Sequence, residues 1–390
     1  MSYYIGIDIA KNKHDCFIQN DNGEVIANPF SFANSSNGFN LLLDKLNSLD
    51  SLQKIKIGLE ATGHYGFNLK QFLETNEYDF MEFNPLLIKR FSESTTLRRT
   101  KTDKVDSILI STYLTTVTYK PYPNKSYHIQ AIKSLTRNRE SLIKERSLSL
   151  VRITNILDKI FPEFKPFFNN SLKSVTCMYL LTNYSNPKKI SKMNLKAYKK
   201  MSSKIGRTIS YARFIQLKDL AKNSIGTSDD IYDFELKCSL DLYNLLNKQI
   251  KQIELKIKNE YAKCHNHINT IRGISTTNAA AIFAEYGDIN AFDNSGQMLS
   301  YAGLEPSRIQ SGQSDYNGRM VKHGSSHLRY TLMNVSMTFM MHNPIIYDYY
   351  HKKRNEGKCH RVALSHVAKK LIRIIYHLEK YDLDFDSNKL

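Results

Sequence analysis

A short acidic stretch, Lys101-Thr102-Asp103-Lys104-Val105-Asp106, carries residue types that could hold a metal ion. The apolar residues that follow it recur at helical spacing, which predicts a helix over 103–118. Asp103 and Asp106 are three residues apart and are therefore surface neighbours on that helix. Two neighbouring carboxylates repel each other unless a cation lies between them. A solvated acidic pair, favoured by the helix dipole, is the alternative for this stretch taken alone.

Two predicted strands upstream each carry one further carboxylate. Residues 3–8 and 54–60 alternate in polarity, and each segment has a glycine two residues before an acid. Residues two apart share a face of a strand, so each acid lies beside a gap that admits a close neighbour. The resulting set of four carboxylates is Asp8, Glu60, Asp103 and Asp106. Such oxygen ligands suit Mg²⁺ or Mn²⁺, which can clamp the reacting oxygens of a phosphodiester.

The chain of 390 residues is basic, with 55 Lys and Arg against 37 Asp and Glu and a formal net charge of +18. The charge is unevenly placed, because residues 1–110 hold 12 basic and 14 acidic residues and the remainder holds 43 and 23. Cations that hold a phosphate backbone beside carboxylates that hold a metal are typical of a nucleic-acid enzyme. Binding to a membrane surface or to an acidic partner is the competing interpretation.

The cysteines, at positions 16, 177, 238, 264 and 359, are odd in number and scattered. This pattern predicts free thiols in a reducing compartment and no zinc site. The segment Cys264-His265-Asn266-His267 is metal-like but lacks a second ligand pair, so we interpret it as a solvated helix end. No signal peptide and no apolar run of about 18 residues is found, which predicts a soluble, cytoplasmic protein without a membrane segment.

The order of predicted elements indicates an α/β domain over residues 1–120. Strands are expected at 2–9, 14–19, 24–32, 54–60 and 78–83, and helices at 35–49, 66–76, 85–93 and 103–118. Three strands followed by alternating helices and strands predict a mixed sheet flanked by helices, with a site at the strand ends. A linker is expected at 119–124.

The rest of the chain is expected to be mostly helical. Two long polar helices, 131–160 and 229–261, predict an antiparallel coiled-coil hairpin or a dimerisation arm in a middle domain, 121–265. A Lys-rich helical insert, 163–228, separates them, and its sequence does not indicate its task. A mainly helical C-terminal domain is expected over 266–390.

Local signals divide that C-terminal domain further. Gly273 is predicted to turn the chain into an Ala-rich helix over 277–285, either as a phosphate-binding hairpin or as a core turn. Ser325 is expected to cap a helix that runs to Met341. A basic amphipathic helix is expected from Cys359 to Glu379.

Ser311 precedes a glycine in a predicted turn and has basic neighbours in the sequence. The candidate nucleic-acid ligands among them are Arg308, Arg319, Lys322 and Arg329. A serine hydroxyl is a poor nucleophile unless a base or nearby cations assist it. Clustered cations would stabilise the charge on a phosphate under attack. The spacing names no general base, and a structural Ser-Gly turn is the alternative.

Several motifs occur in a fixed order along the chain. They are Gly6-Ile-Asp8-Ile-Ala-Lys11, Leu59-Glu60-Ala-Thr-Gly63-His-Tyr65, Asn84-Pro85 and the stretch 101–106, then Ile271-Arg-Gly-Ile274, Tyr301-Ala-Gly-Leu304, Ser311-Gly312 and Lys322-His-Gly324 through Arg329. Together they resemble the DEDD transposases of bacterial insertion sequences, the bridge-RNA-guided recombinase group that includes the pilin-gene invertase. The resemblance covers both ends of the chain in the right order.

The resemblance implies a RuvC-like N-terminal domain, with the ribonuclease-H fold, and a C-terminal transposase domain. In it, Asp8, Glu60, Asp103 and Asp106 would bind Mg²⁺, and Ser311 would be the nucleophile that forms a covalent phosphoserine link to DNA. It also implies double-stranded DNA partners (element ends and target), a bridge RNA, and homo-oligomers up to a tetramer whose active sites combine domains from different subunits.

Three other functions fit parts of the sequence. A Mg²⁺-dependent nuclease similar to Holliday-junction resolvases needs only the four carboxylates and leaves Ser311 structural. The segment Gly6-Ile7-Asp8 also resembles the first phosphate loop of actin-like ATPases, but no Gly/Thr-rich turn follows the acid. A non-catalytic RNA- or DNA-binding protein explains the basic charge and leaves the paired glycine–acid strands unexplained.

Overall fold

A computed structural model describes residues 2–50, 52–61, 63–95, 103–121, 126–206, 208–227, 229–311 and 314–389. Side chains are described outside 126–128, 308–311, 314–317 and 319. Predictions on Thr62, Lys101, Thr102, Gly312 and linker residues 122–124 therefore lie outside the described residues. Contacts divide the chain into two compact units, residues 1–130 with 286–300, and residues 131–285 with 301–390. The three-domain division at 120 and 265 stays a prediction.

The first unit contains a five-stranded mixed sheet. Its elements are β1 (Ser2–Ile9), β2 (Lys13–Asn20), β3 (Val25–Ala33), α1 (Ser36–Asn47), β4 (Lys54–Glu60), α2 (Phe67–Thr75), β5 (Phe80–Phe83), α3 (Pro85–Thr95) and α4 (Asp103–Thr116). The strand order is β3-β2-β1-β4-β5, antiparallel from β3 to β1 and parallel from β1 to β5. The predicted mixed sheet is confirmed, with element ends within two residues of those expected.

Alternating apolar residues of the strands form the core of this unit. Ile5 and Ile7 of β1 and Ile57 and Leu59 of β4 are fully buried and pack with the apolar sides of α1 and α2. This is the face opposite the two glycines, because residues two apart share a face of a strand. The face of β1 and β4 that carries the glycines is therefore not covered by this core and is available for packing with another element.

Helix α4 occupies that glycine face. A Cβ atom on Gly6 would lie 2.2 Å from the carbonyl oxygen of Ser107 and 2.4 Å from the backbone nitrogen of Ser111. The Ser111 hydroxyl donates a hydrogen bond to the carbonyl oxygen of Tyr4, 3.0 Å away. Gly58 pairs with Gly6 in the β1–β4 register, and a Cβ there would meet side chains that include Leu114 of α4. The close neighbour predicted beside each acid is thus the helix itself.

We expect Gly6→Ala to destabilise the first unit by about 3 kcal/mol or more. The added methyl group would clash with the backbone of α4, which cannot move aside as a flexible side chain could. Hydrogen exchange of the β1 and β4 amides measures this effect. Gly66→Ala is the matched control, since its Cβ would lie 3.0 Å from the Cδ1 tip of Ile9. It should cost less than about 1 kcal/mol. Unchanged exchange in Gly6→Ala would show that α4 does not need this contact.

The rest of the chain is mostly helical. Its elements are α5 (Ser126–Ile160), α6 (Phe164–Phe167), α7 (Val175–Asn183), α8 (Pro187–Ser191), α9 (Leu195–Ile205), α10 (Tyr211–Lys222), α11 (Asp230–Tyr261), α12 (Thr276–Tyr286), α13 (Ser295–Tyr301), β6 (Pro306–Ser311), β7 (Ser314–Met320), α14 (Ser326–Met341), α15 (Pro344–Asn355) and α16 (His360–Tyr381). Short 3-10 turns lie at Ile268–Thr270, Ile289–Ala291 and Ser387–Lys389.

The long helices α5 and α11 run antiparallel. Arg139 forms an ion pair of 2.7 Å with Glu254, and the Ser149 hydroxyl donates to the carbonyl oxygen of Ser239, 3.0 Å away. A later residue of α5 contacts an earlier residue of α11, which shows that the two helices run in opposite directions. Coiled-coil packing and a dimerisation role for this pair stay predictions.

The insert between these helices is helical, as predicted, and shares a hydrophobic core with them. Phe164, Leu180 and Phe214 are almost fully buried and pack with Leu236 of α11. The insert is thereby attached to the helix pair by apolar contacts. The lysine side chains of the insert lie mostly on the exposed outer faces of its helices.

The C-terminal part differs from the prediction in one respect. Residues 306–320 form a two-stranded antiparallel hairpin, in which Ser311 pairs with Ser314, where a turn within mainly helical structure was expected. The predicted cap is confirmed, because the Ser325 hydroxyl accepts a hydrogen bond from the backbone N–H of Leu328 at 3.2 Å and α14 ends at Met341.

A buried carboxylate connects α12 with α5 and the start of α14. The side chain of Glu285 is 2 % exposed and receives two hydrogen bonds from Arg137, at 2.6 and 3.0 Å, and one from Ser325 at 2.9 Å. Burial alone would raise the pKa of Glu285, but Arg137 and Lys133 outweigh it and hold the pKa below its usual value. The carboxylate is therefore ionised at neutral pH and stabilises the second unit.

We expect Glu285→Gln to destabilise the chain by about 2 kcal/mol at pH 7, since Arg137 would lose its charged partner in a partly buried position. Because the pKa of Glu285 is lowered in the folded protein, the ionised carboxylate contributes its full stabilisation above roughly pH 4.3, the pKa of an unfolded glutamate. The difference in stability between the wild type and Glu285→Gln shrinks as the pH falls below that value. Urea unfolding at several pH values measures it. The exposed Glu235→Gln on α11 should leave stability unchanged, and equal stability of both variants would refute the role of Glu285.

Within the described ranges, the structure contains no helix that is both long and apolar enough to cross a membrane. All five cysteines are unpaired, as predicted, with Cys16 and Cys177 buried. Burial raises the pKa of the Cys177 thiol to about 12, so it is protonated at neutral pH.

Candidate active site

Two neighbouring parallel strands present the first two acids. Asp8 lies near the end of β1 and Glu60 ends β4, and the pairs Gly6–Gly58 and Ile7–Leu59 fix the register between these strands. Because parallel strands end at the same edge of a sheet, the two carboxylates are neighbours there. Both residues are partly exposed, so a ligand can reach them.

Helix α4 adds the other two acids at the same edge. Asp103 and Asp106 occupy its first turn, and the contact of its Ser107 with Gly6 holds that turn against β1. Asp103 is exposed and Asp106 is partly buried. The four predicted metal ligands are thus brought together by one sheet edge and one helix start.

The charges of these acids act on Asp8. Burial, followed by the negative charges of Asp106, Glu60 and Asp103, raises the pKa of Asp8 to about 6. Burial and the like charges of these neighbours both favour the neutral form of Asp8. The site therefore has an excess of negative charge that a cation would relieve.

Lys13 and Asp15 belong to this edge as well, and neither was predicted from the sequence. Asp15 lies directly opposite Asp8 in the β1–β2 register and is almost fully buried. The Ser31 hydroxyl donates to Asp15 at 2.5 Å. The Lys13 ammonium lies 3.2 Å from Asp15 and 3.3 Å from Asp103. Counting the residues of the tight β1–β2 connection would have placed Asp15 opposite Asp8.

The donor chemistry fits a hard divalent cation. All four predicted ligands offer carboxylate oxygens, and the Lys13 ammonium already stands as a cation between two acids of the edge. The acids are neighbours without forming a tight set. Within the part of the chain that the structure describes, ligand atoms of three or more such residues converge within 4.8 Å at His265, His267 and Asp382 instead.

The predicted nucleophile lies in the second unit. Ser311 is the last residue of β6, at the tip of the β6–β7 hairpin, where its backbone pairs with that of Ser314. The side chains of Ser311, Arg308 and Arg319 are outside the described part of the structure. A serine at the tip of a short hairpin is nevertheless in a position where turns commonly present side chains to ligands.

Two of the predicted basic ligands can be described. Lys322 follows the hairpin and is exposed. Arg329, on α14, is partly buried, and its Nη1 donates to the carbonyl oxygen of Ala302 at 3.2 Å. This bond holds the turn at Gly303, where φ is +65°, and gives Arg329 a structural contact beside its predicted role.

Comparison with known proteins adds the family. A DEDD transposase profile of the IS110 group matches residues 5–162, and a profile described as the transposase IS116/IS110/IS902 family matches residues 265–351. This chain belongs to the IS110-type DEDD transposases. The first profile spans the four acids of the sheet edge, and the second spans the β6–β7 hairpin. Transposases act on DNA, and divalent metals are typical of the DEDD group.

Individual relatives agree with this assignment. The transposase is 24% identical over 392 residues to the pilin gene-inverting protein of Moraxella bovis, with 98% of each chain covered. It is 23% identical over 410 residues to the IS117 mini-circle protein of Streptomyces coelicolor, assigned as a transposase, covering 100% of this chain and 96% of the relative. An uncharacterised protein of insertion element IS116 from Streptomyces clavuligerus is 25% identical over 257 residues, 64% of this chain and 63% of the relative.

The glycine turn before α12 is part of the core of the transposase. Gly273 has φ +92°, and a Cβ there would lie 2.7 Å from the carbonyl oxygen of Thr338 on α14. The close approach of α14 favours the core turn over the phosphate-binding hairpin, since the space beside the glycine is filled by protein backbone.

Proposed function

We propose that this transposase is a site-specific DNA recombinase of an insertion sequence that uses a carboxylate-bound Mg²⁺ (or Mn²⁺) site and a nucleophilic serine. The observation that carries the proposal is the meeting of Asp8, Glu60, Asp103 and Asp106 at one sheet edge, where burial and then the charges of the other three acids raise the pKa of Asp8. The chain belongs to a family of DNA transposases, so the group on which these acids act would be a phosphodiester of DNA.

The four carboxylates would hold the metal from two directions. Asp8 and Glu60 approach from the strand ends, and Asp103 and Asp106 from the first turn of α4. When bound, the metal would act as a Lewis acid that stabilises negative charge on the phosphodiester. Lys13 would have to release Asp103, and it retains Asp15 as its partner. The fold of this domain is proposed to be RuvC-like.

Ser311 would carry the covalent step. Its hydroxyl oxygen attacks the phosphorus atom and forms an O–P bond, while the bond between phosphorus and the leaving deoxyribose oxygen breaks. The hydroxyl proton leaves with a base and the departing oxygen gains a proton, so the number of phosphodiester bonds is conserved. Attack by a hydroxyl of the exchanged strand reverses the step and frees the serine. Exposed Lys322 and the neighbouring arginines would bind the phosphate.

The family and the charge support the proposed partners. Double-stranded DNA (element ends and target) and a structured bridge RNA would bind the basic residues that follow residue 110. Dimers to tetramers would combine domains of different subunits, with division into catalytic (1–120), arm (121–265) and transposase (266–390) domains.

A recombination assay on plasmids tests the proposal. Full-length protein, Mg²⁺, RNA transcribed from the native flanking DNA, and a plasmid with element ends and target should give recombinant junctions detectable by amplification. Chelation of Mg²⁺ or removal of the RNA should abolish them. Junctions formed in the presence of a chelator would refute the metal site, and junctions formed without RNA would refute guidance.

One observation favours a second candidate function. All four acids lie in the first unit and Ser311 lies in the second. The sheet edge that carries Asp8, Glu60, Asp103 and Asp106, the carboxylate edge, would then serve a Mg²⁺-dependent nuclease similar to Holliday-junction resolvases without serine chemistry. This nuclease would cleave DNA and leave no protein attached to it. The fate of Ser311→Ala distinguishes the two functions.

A further inference from the structure

Two histidines and two aspartates meet where the C-terminal segment returns to the end of α11. His265 and His267 follow α11, and Asp382 and Asp384 follow α16. The Nε2 atoms of His265 and His267 lie 2.6 and 2.8 Å from the same oxygen, Oδ1 of Asp382. The Nδ1 atom of His267 lies 2.8 Å from Oδ1 of Asp384. None of these residues belongs to the carboxylate edge or to the hairpin of Ser311.

The contacts of His267 exceed what a neutral imidazole can supply. A neutral ring has one N–H group, so it can donate to only one of the two carboxylates that face its nitrogens. The ring nitrogen without a proton would direct a lone pair at the other carboxylate. A cation is needed at this point, either a second proton on the ring or a metal ion. His265 faces the same oxygen, so a cation here would be bound by two imidazole nitrogens, of His265 and His267, and one carboxylate oxygen of Asp382.

We propose that His265, His267 and Asp382 form a zinc site in the second unit. Two imidazole nitrogens and one carboxylate oxygen are a set that suits Zn²⁺ and is poor for Mg²⁺. Asp384 accepts the Nδ1–H group of His267, which fixes the tautomer with Nε2 free to ligate. Water would take the fourth position.

The ligands can reach zinc geometry with small movements. Zn²⁺ bonds of about 2.0–2.1 Å in a tetrahedron separate the ligand atoms by about 3.3 Å, whereas the present separations at Asp382 are 2.6 and 2.8 Å. The side chains of His265 and Asp382 are 77% and 73% exposed, so they are free to rotate outwards. His267 is 11% exposed and would serve as the fixed ligand.

The site would fasten the end of the chain. The segment that contains Asp382 already attaches to the region after α11, because the backbone N–H of Phe385 donates to the Thr270 hydroxyl at 2.9 Å. The backbone N–H of His267 donates to Glu379 at 2.7 Å. Zinc would add bonds between parts of the chain that are more than 100 residues apart in sequence. Because the unfolded chain does not hold these ligands together, zinc binding would stabilise the folded state.

Zinc titration of the full-length protein tests the proposal. Excess Mg²⁺ is present throughout to occupy oxygen-only sites, and uptake of Zn²⁺ is followed by calorimetry. We expect one tight equivalent in the wild type. His265→Asn or Asp382→Asn should weaken binding by about 100-fold or more, and Asp384→Asn by about 10- to 100-fold. Asn is suitable at 382 because it tolerates the φ of +56° found there.

His351→Asn is the matched control, because His351 is an exposed histidine of α15 in the same unit and is distant in sequence from the four residues. It should bind zinc as the wild type does. Replacement of zinc by Co²⁺ should give the strong visible absorption of a tetrahedral site, and His265→Asn should abolish it. Absence of a tight equivalent in the wild type, or equal binding in His265→Asn and His351→Asn, would overturn the proposal and leave a purely ionic histidine–aspartate contact. Each outcome is independent of recombination activity.

Discussion

Asp8→Asn is expected to abolish recombination and, at the same time, to stabilise the free protein. Loss of one carboxylate from the metal site removes several kcal/mol of transition-state stabilisation, which lowers the rate by at least about a thousandfold. The amide also removes a partly buried negative charge from among Asp106, Glu60 and Asp103, since burial and then the repulsion of these neighbours raise the pKa of Asp8 to about 6. An acid with a raised folded pKa destabilises the protein when it is ionised, so the gain at pH 7 is about 1 kcal/mol after solvent screening.

The two effects need separate measurements on the same preparation. Recombinant junctions are counted in Mg²⁺, and thermal unfolding is followed in chelator, where the melting temperature should rise by about 2–4 °C. Asp44→Asn, an exposed acid of α1 in the same unit, is the matched control and should change neither quantity. Normal recombination by Asp8→Asn would refute the metal site. Loss of activity together with lower stability would point instead to damage of the fold.

Ser311→Ala is expected to eliminate a covalent protein–DNA adduct that the wild type forms. Only the hydroxyl oxygen of Ser311 can become part of the proposed phosphoserine link, so its removal leaves no bond to trap. Wild type and variant are incubated with Mg²⁺, RNA and element ends, then separated on denaturing gels. Labelled DNA should migrate with the wild-type protein alone.

Ser314→Ala is the matched control, because Ser314 is the backbone partner of Ser311 on the other strand of the hairpin. It should retain the adduct and show that the hairpin tolerates loss of a hydroxyl at its tip. Cleavage of DNA by wild type and Ser311→Ala alike, with no adduct in either, would favour the nuclease. An adduct that persists in Ser311→Ala would assign the nucleophile to another residue.

The sequence predicts the carboxylate edge because each contribution is local. The glycine two residues before Asp8 and before Glu60 marks the strand face, and the helical spacing after Asp103 marks the start of α4. The docking of α4 on the two glycines then follows from the space that they leave. Strand alternation and helix periodicity therefore suffice to bring these acids together once the parallel order of β1 and β4 is accepted.

Features that depend on a turn length or on distant parts of the chain are not predicted. Asp15 is close to Asp8 in sequence, but its position opposite Asp8 depends on the length of the β1–β2 turn, which strand alternation alone does not give. The segment at His265 was interpreted as a solvated helix end because its partner Asp382 lies more than 100 residues away. The β6–β7 hairpin was missed because its strands contain few apolar residues, so alternation gave no signal over 306–320.

The contact of Gly6 with α4 has a consequence for how the site is assembled. Since backbone meets backbone there, with no side chain to act as a spacer, the helix cannot slide or tilt without separating from β1. The relative placement of the strand acids and the helix acids is therefore complete when the unit folds. A metal ion would encounter a preorganised frame in which only side-chain torsions remain to be adjusted, so its binding carries little conformational entropy cost and should leave the backbone order of β1 and α4 unchanged.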